Sequence, residues 1–372
     1  MGSLGLSDQI VLQSSLLLIG VLMWFVPVMK GPDAFFGIPV SEPFYRGPLA
    51  RRYLLIYRFL TTVFVAGAIA VLAGVRANAP AGPGLVLWAF CVGIMAPSLA
   101  LIPFWYAVRP HEERGAAAGP TELAPPRPKW AYVTPWVQVV SLAALVAALG
   151  LTVWRYPHLP ASIPTHWDIA GRANGWMAKG VVSTAFPLVM MGLMQALCLW
   201  LLVGVAQAPE RLPKERAEEY RAAHERYLHV WALWINLMEL AMVVVFGGIV
   251  WSTVFGIEQQ AHGATSPGML ALLVGMGALI LSLPWLIVQV LRHRAGLREI
   301  AGPGTIESTA PTEGWLWGAI YYNRNDPAIW VEKRMGIGWT LNMARPASWV
   351  FFALVLGLPI GFAVASIVMA HK

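Results

Sequence analysis

Eight stretches of about twenty residues run through this chain almost without a charge, and that pattern leaves little choice of fold. They occupy residues 10–29, 53–75, 84–108, 133–153, 181–205, 228–251, 269–291 and 349–370. About 20 apolar residues of helix cross a hydrocarbon core about 30 Å thick. Backbone amides in lipid find no water, so each segment must satisfy its hydrogen bonds internally, and no dyad alternation marks a barrel. Composition agrees, with 58% hydrophobic and 12% charged residues, against about 45–50% and about 25% in soluble domains. The expected fold class is an all-α polytopic membrane protein with eight transmembrane helices. Soluble, disordered, collagen-like and disulfide-scaffold readings are excluded, because Cys91 and Cys198 both lie inside apolar runs and read as inert thiols.

The net charge of +7 would raise nucleic acid as a partner in a soluble chain. Its distribution points elsewhere. Sorted by alternate loops, Arg76, Arg155, Arg172, Lys179 and Lys372 fall on one side, and the other 21 of the 26 Lys and Arg on the opposite side. Basic residues near span ends resist translocation, so both termini are expected outside the cytoplasm. The basicity then belongs to orientation and anionic lipid, with no nucleic-acid role. The first run lacks a basic n-region and a small-residue cleavage site, so it reads as a retained helix. Pro97, Pro103, Pro284 and Pro359 predict kinks. Ala66, Ala70 and Gly74, like Gly357, Gly361 and Ala365, have the fourfold spacing that lets helices approach closely.

The polar segments set the expected domains: a three-helix part at 1–108, a Pro/Ala/Gly-rich flexible linker at 109–134, and a four-helix core at 135–291. Residues 292–346 form a cytoplasmic β domain, and 347–372 the final helix. In the first loop, Phe35, Phe36, Ile38, Phe44 and Tyr45 read as an aromatic belt at headgroup level. The loop at 155–180 is more distinctive. Pro157, Pro160 and Pro164 force extended backbone, while Asp168 with Gly171, then Asn174 with Gly175, supply two tight turns. Tyr156, Trp167 and Trp176 should sit at the membrane edge of a compact extracytoplasmic cap that recognises a peptide or protein. His158, His166, Asp168 and His262 have no ligand-type spacing, so no metal is assigned.

Residues 210–228 alternate charge signs and read as a solvated extension of the sixth helix. Further along that helix, Glu239 is the only carboxylate deep in an expected span. It serves either proton or ion passage, or a hydrogen bond across helices to Asn236 or Gln289. At 315–342 two β-rich runs flank Arg324-Asn325-Asp326-Pro327, and Met335 to Asn342 reads as a third strand. A three-stranded meander between helices 7 and 8 is expected, offering Trp317, Tyr321, Tyr322, Asn323, Asp326, Lys333, Arg334 and Trp339 to a cytoplasmic partner. Nucleotide loops are absent from its glycine pattern.

Two segments carry a resemblance. Tyr156-Pro157-His158-Leu159-Pro160 through Ile163-Pro164-Thr165-His166, Gly171 and Trp176 resembles the extracytoplasmic motif of SdpI-like bacterial membrane proteins, a multi-helix immunity and signalling family. Trp317-Gly318, Tyr321-Tyr322-Asn323, Asn325-Asp326-Pro327, Val331 to Arg334 and Gly338 to Asn342 look like a second, uncharacterised domain found in the same chains, and Phe36-Gly37-Ile38-Pro39 with Arg51-Arg52-Tyr53 is similar to a stretch of the longer relatives. The resemblance implies protection from a secreted peptide toxin coupled to holding a regulator at the membrane, with no catalytic residues. The chain departs from that pattern in its three N-terminal helices and added β domain. The expected function is therefore non-enzymatic: recognition of an extracytoplasmic peptide or protein, tethering of a cytoplasmic partner, or both, with no cofactor. Competing readings are a subunit of a larger membrane complex and a proton-coupled transporter centred on Glu239; a metalloenzyme is the weakest.

Overall fold

A computed structural model describes residues 6–78, 83–113, 121–124, 127–167, 173–208, 210–213, 216–260, 267–301, 313–336 and 338–370. In chain order the helices are α1 (Leu6–Phe25), α2 (Glu42–Arg46), α3 (Pro48–Asn78), α4 (Pro83–Leu99), α5 (Leu101–Val108), α6 (Pro135–Arg155), α7 (Val181–Gln207), α8 (Ala217–Gln260), α9 (Pro267–Ala301) and α10 (Pro346–Ala370). The strands are β1 (Thr121–Leu123), β2 (Ser162–Trp167), β3 (Ala173–Ala178), β4 (Arg211–Pro213), β5 (Trp315–Leu316), β6 (Ile320–Tyr321), β7 (Trp330–Glu332) and β8 (Trp339–Leu341).

Among the described residues, six helices are long and apolar enough to cross a membrane: Pro48–Gly74, Leu85–His111, Pro135–His158, Val181–Gln207, Ala217–Phe255 and Pro267–Leu297. The first and last apolar runs also fold as helices, but over the described residues they qualify only as the shorter apolar helices Leu12–Val28 and Pro346–Gly357. Apolar side chains face outward along the long helices, with Phe59 68%, Val139 66% and Leu281 75% exposed. Water would penalise such continuous apolar faces, whereas lipid accepts them. The chain is a mostly helical, multi-pass membrane protein with lipid as its surroundings.

The chain divides into two compact units, Met1–Glu122 with Ala301–Arg345, and Leu123–Ile300 with Pro346–Lys372. In the first unit α1, α3 and α4 pack together around Leu16, Ala68, Leu72 and Ala89. The third apolar run breaks at Ala100, between α4 and α5. Pro103 explains the break, since it offers no N–H to the carbonyl of Leu99 and its ring collides with that turn. Pro284, by contrast, is carried within the continuous α9.

The aromatic first loop is not an interfacial belt. Phe35 and Phe36 are 1% exposed and Ile38 2%, and they pack with Tyr57, Leu101, Phe104, Trp105, Val108 and Met335 in one core. Phe36 stacks on Phe104 with ring centroids 5.1 Å apart. Against this loop lies the segment 313–345. A Cβ placed on Gly37, whose φ is +80°, would stand 2.9 Å from the Gly318 Cα, so the two backbones touch only because both residues are glycine. Lys30, 5% exposed, bonds the Glu332 carboxylate at 2.9 Å and also donates to the Lys333 carbonyl.

That segment is two small hairpins, not one three-stranded meander. β5 pairs antiparallel with β6, and β7 with β8, while Tyr321 and Asn342 share an isolated parallel bridge. The positive φ values of Gly314, Trp317 and Gly318 fold the first hairpin back within 315–321. The Asn-Asp-Pro stretch expected to be the turn is instead a connector between hairpins.

In the second unit α6, α7 and α8 pack around Ala148, Leu188, Met191, Val250 and Val254. α8 and α9 approach through glycine: a Cβ on Gly248 would lie 2.5 Å from the Gly268 carbonyl oxygen, and one on Gly275 2.6 Å from Val245 Cγ2. In the expected small-residue stripes, Gly74, Gly357 and Gly361 face no heavy atom within 4 Å among the described residues.

Candidate functional site

The loop between α6 and α7 folds as an antiparallel hairpin. β2 pairs with β3 in the register Ser162 to Ala178, Ile163 to Met177, Pro164 to Trp176, His166 to Gly175 and Trp167 to Ala173. Proline donates nothing to a ladder, so Pro164 is tolerated only in a two-stranded, edge-only sheet. Asn174 and Gly175 lie inside β3 and do not form a turn; the register slips on both sides of His166 opposite Gly175, where the missing side chain accommodates the irregularity. Asp168 and Gly171 lie outside the described residues, as does the side chain of His166. Tyr156 and Pro157 belong to a 3-10 turn that ends α6, Pro157 and Pro160 are exposed, and Trp167 is half-buried.

One residue absent from the expected site holds this hairpin to its helices. Lys179 Nζ donates to the carbonyls of Leu159 at 3.0 Å and Tyr156 at 3.3 Å, and sits 5.1 Å from the Tyr156 ring centre. Its own N–H donates to the Ala161 carbonyl at 2.8 Å. Ser183 then caps α7, accepting from the Gly180 N–H at 3.0 Å and donating to the Ala178 carbonyl. Ile163 is fully buried and β2 packs on α8, while Trp176 on the other strand stays 50% exposed. The result is a braced ribbon that presents an aromatic side chain.

The other expected partner surface, 315–342, has most of its residues turned inward. Tyr321 is fully buried and its hydroxyl donates to Asp326 Oδ2 at 2.8 Å. Asn323 donates to that same hydroxyl, at 3.2 Å. Asn342, also fully buried, accepts from the N–H groups of Asn323 and Ala344 and donates to the carbonyls of Asn323 and Asp326. Arg334, 7% exposed, faces Glu112 at 3.8 Å; burial lowers its guanidinium pKa, and Glu112 offsets part of that. Trp339 is half-buried. Trp317, Tyr322 and Lys333 are the exposed members of the set.

The second half of the expected flexible linker is folded. Arg127 bridges Glu210 and Glu225, the latter at 2.9 Å, and Tyr132 donates to Glu225 at 2.6 Å. Burial pulls Arg127 down, but Glu210 and Glu225 outweigh it and hold its pKa above the ordinary value. Burial, then the bond to Glu225, raises Tyr132. These charges tie residues 127–132 to the polar end of α8, so that end is not simply solvated.

Deeper in the same helices lies a polar layer. Glu239 is fully buried, and Gln138 Nε2 of α6 donates to its Oε2 at 2.7 Å. The partner is thus Gln138, not Asn236 or Gln289. Asn236 spends its own donor on the Ala232 carbonyl of α8, at 2.7 Å. Among the described residues, no group of three or more His, Cys, Asp and Glu could hold a metal ion.

Comparison with known proteins brings two matches to uncharacterised families. Residues 143–191 match a domain of unknown function, DUF1648, and residues 324–349 match a family of unknown function, DUF5808. The first spans the last 13 of the 21 residues of α6, the hairpin strands and the first 11 of the 27 residues of α7; the second includes β7, β8, Asn342 and the start of α10. Together with the apolar helices they fit an uncharacterised membrane protein family. Among curated proteins, the chain is 38% identical over 82 residues to a homoserine O-acetyltransferase of Clavibacter michiganensis, covering 20% of this chain and 21% of that protein. The chain therefore spans about a fifth of the length of the curated relative it matches. No solved structure matches.

Proposed function

We propose that this chain is a non-enzymatic, SdpI-like receptor of eight spans with both termini outside the cytoplasm. Its hairpin β2–β3 recognises an extracytoplasmic peptide or protein. The observation that carries this reading is the hairpin itself: a proline-stiffened ribbon, fixed by Lys179 at its base, with Trp176 left exposed. Rigid aromatic side chains on a pre-ordered backbone give binding area at low entropic cost. The DUF1648 match over 143–191 supports it by centring on this helix–hairpin–helix unit. The exposed Trp317, Tyr322 and Lys333 would face a cytoplasmic regulator.

The test is a photo-crosslinking amino acid at position 176 in native membranes, with lipid-facing position 139 as control. Recognition predicts a discrete crosslinked peptide or protein at 176 and none at 139. The same product at both positions, within one stable large assembly, favours a complex subunit and contradicts the receptor reading.

A further inference from the structure

Where the segment 127–131 faces the start of α8, the two leave an open cleft of about 390 Å3. Arg127, Pro128 and Ala131 form one wall, and Glu218, Arg221 and Glu225 stand on the other. Their spacing along α8 puts the three charged residues of that wall on one helix face, with Cβ atoms about 5–6 Å apart between neighbours.

The charges lining this cleft are not paired off. Arg127 is spent on Glu210 and Glu225, so one guanidinium serves two carboxylates. Arg221 is half-buried and Glu218 exposed, at a spacing that allows an ion pair, yet among the described residues neither side chain has an ionic or hydrogen-bonding partner. A guanidinium partly withdrawn from water gains from an anion, and its planar fork suits a phosphate. Glu218 and Glu225, on either side of Arg221 along the helix, suit an ammonium and repel a ligand that carries only negative charge.

The same helix face runs toward the membrane. Beyond Glu225 it continues through His229 to Leu233 and Leu237, and both leucines are exposed. Trp130 and Trp136, also exposed, flank the point where α6 begins, the position of aromatic side chains at headgroup level. An occupant of the cleft therefore meets charges at one end and lipid-facing side chains at the other.

We propose that the cleft binds the headgroup of one zwitterionic aminophospholipid, with its phosphate on Arg221, its ammonium between Glu218 and Glu225, and its acyl chains along Leu233 and Leu237. This site is separate from the β2–β3 hairpin and does not rest on the receptor reading.

The full chain in detergent, mixed with equal amounts of phosphatidylethanolamine, phosphatidylcholine and phosphatidylglycerol and read by native mass spectrometry, tests it. Phosphatidylethanolamine should be retained at least about tenfold over phosphatidylcholine, whose trimethylated nitrogen cannot donate a hydrogen bond to a carboxylate. Arg221→Gln should weaken that retention about tenfold, and Glu218→Gln should narrow the preference over phosphatidylcholine. Neither side chain has a partner to lose, so both variants should melt like wild type without added lipid. Arg226→Gln, which removes an exposed charge outside the cleft, should bind as wild type does. The site is overturned if phosphatidylethanolamine and phosphatidylcholine are retained equally, if phosphatidylglycerol is retained best, if Arg221→Gln behaves like Arg226→Gln, or if soluble phosphoethanolamine binds as tightly as the lipid.

Discussion

The segments that leave the helices, 156–179 and 313–345, are both short, aromatic and built of two-stranded ribbons, yet they are held in opposite ways. The first rests on a backbone ladder and one lysine at its base, and it leaves Trp176 outside. The second has ladders of only two and three residue pairs, so side chains do the holding: Asn342, Asp326, Asn323 and Arg345 bond backbone groups, and Tyr321 and Trp315 fill the interior. Aromatic residues alone therefore do not mark a binding face. What the backbone already satisfies decides which side chains are free to meet a partner.

Breaking the side-chain knot should have the largest effect. Asn342→Ala leaves the N–H groups of Asn323 and Ala344 and the Asn323 carbonyl unpaired, each costing about 1–3 kcal/mol when buried. A loss of about 4 kcal/mol, with rapid proteolysis confined to 313–345, is expected in detergent; an unchanged melting curve would remove the contrast. Next comes Gly37→Ala, which adds a methyl against Gly318 at a positive φ and should cost about 2–3 kcal/mol. Lys179→Met keeps the stem but loses two hydrogen bonds, so about 1–2 kcal/mol should go, read as faster cleavage within 160–178 and not within 313–345. Smallest is Trp176→Ala, within about 0.5 kcal/mol of wild type, while a photo-crosslinker moved to the exposed Ala178 position of the same strand loses its product.

Long features were legible in the sequence and local ones were not. Twenty-residue apolar runs declare themselves, and six of the eight fold as helices long and apolar enough to cross a membrane among the described residues. The Phe35-Phe36 loop was misplaced because hydrophobicity cannot distinguish lipid from protein as the neighbour, and its true partner, Gly318, lies 281 positions away. The meander failed for a related reason: Trp317 adopts a φ of +54° that no propensity anticipates, and it closes a turn earlier than the Asn-Asp-Pro signal. Glu239 stood out as an isolated carboxylate, but its partner Gln138 sits on a different helix near the start of α6, and nothing in the sequence pairs them. Lys179 was counted only as a charge, though a lysine closing a proline-rich loop just ahead of a helix is a signal to look for carbonyls.

The most direct measurement is thiol labelling of intact cells with a membrane-impermeant maleimide, after replacing the native Cys91 and Cys198. Trp176→Cys should be labelled from outside, and Trp317→Cys only after the membrane is opened. Labelling of Trp317→Cys in intact cells, with Trp176→Cys protected, would invert the topology and contradict an extracytoplasmic recognition hairpin.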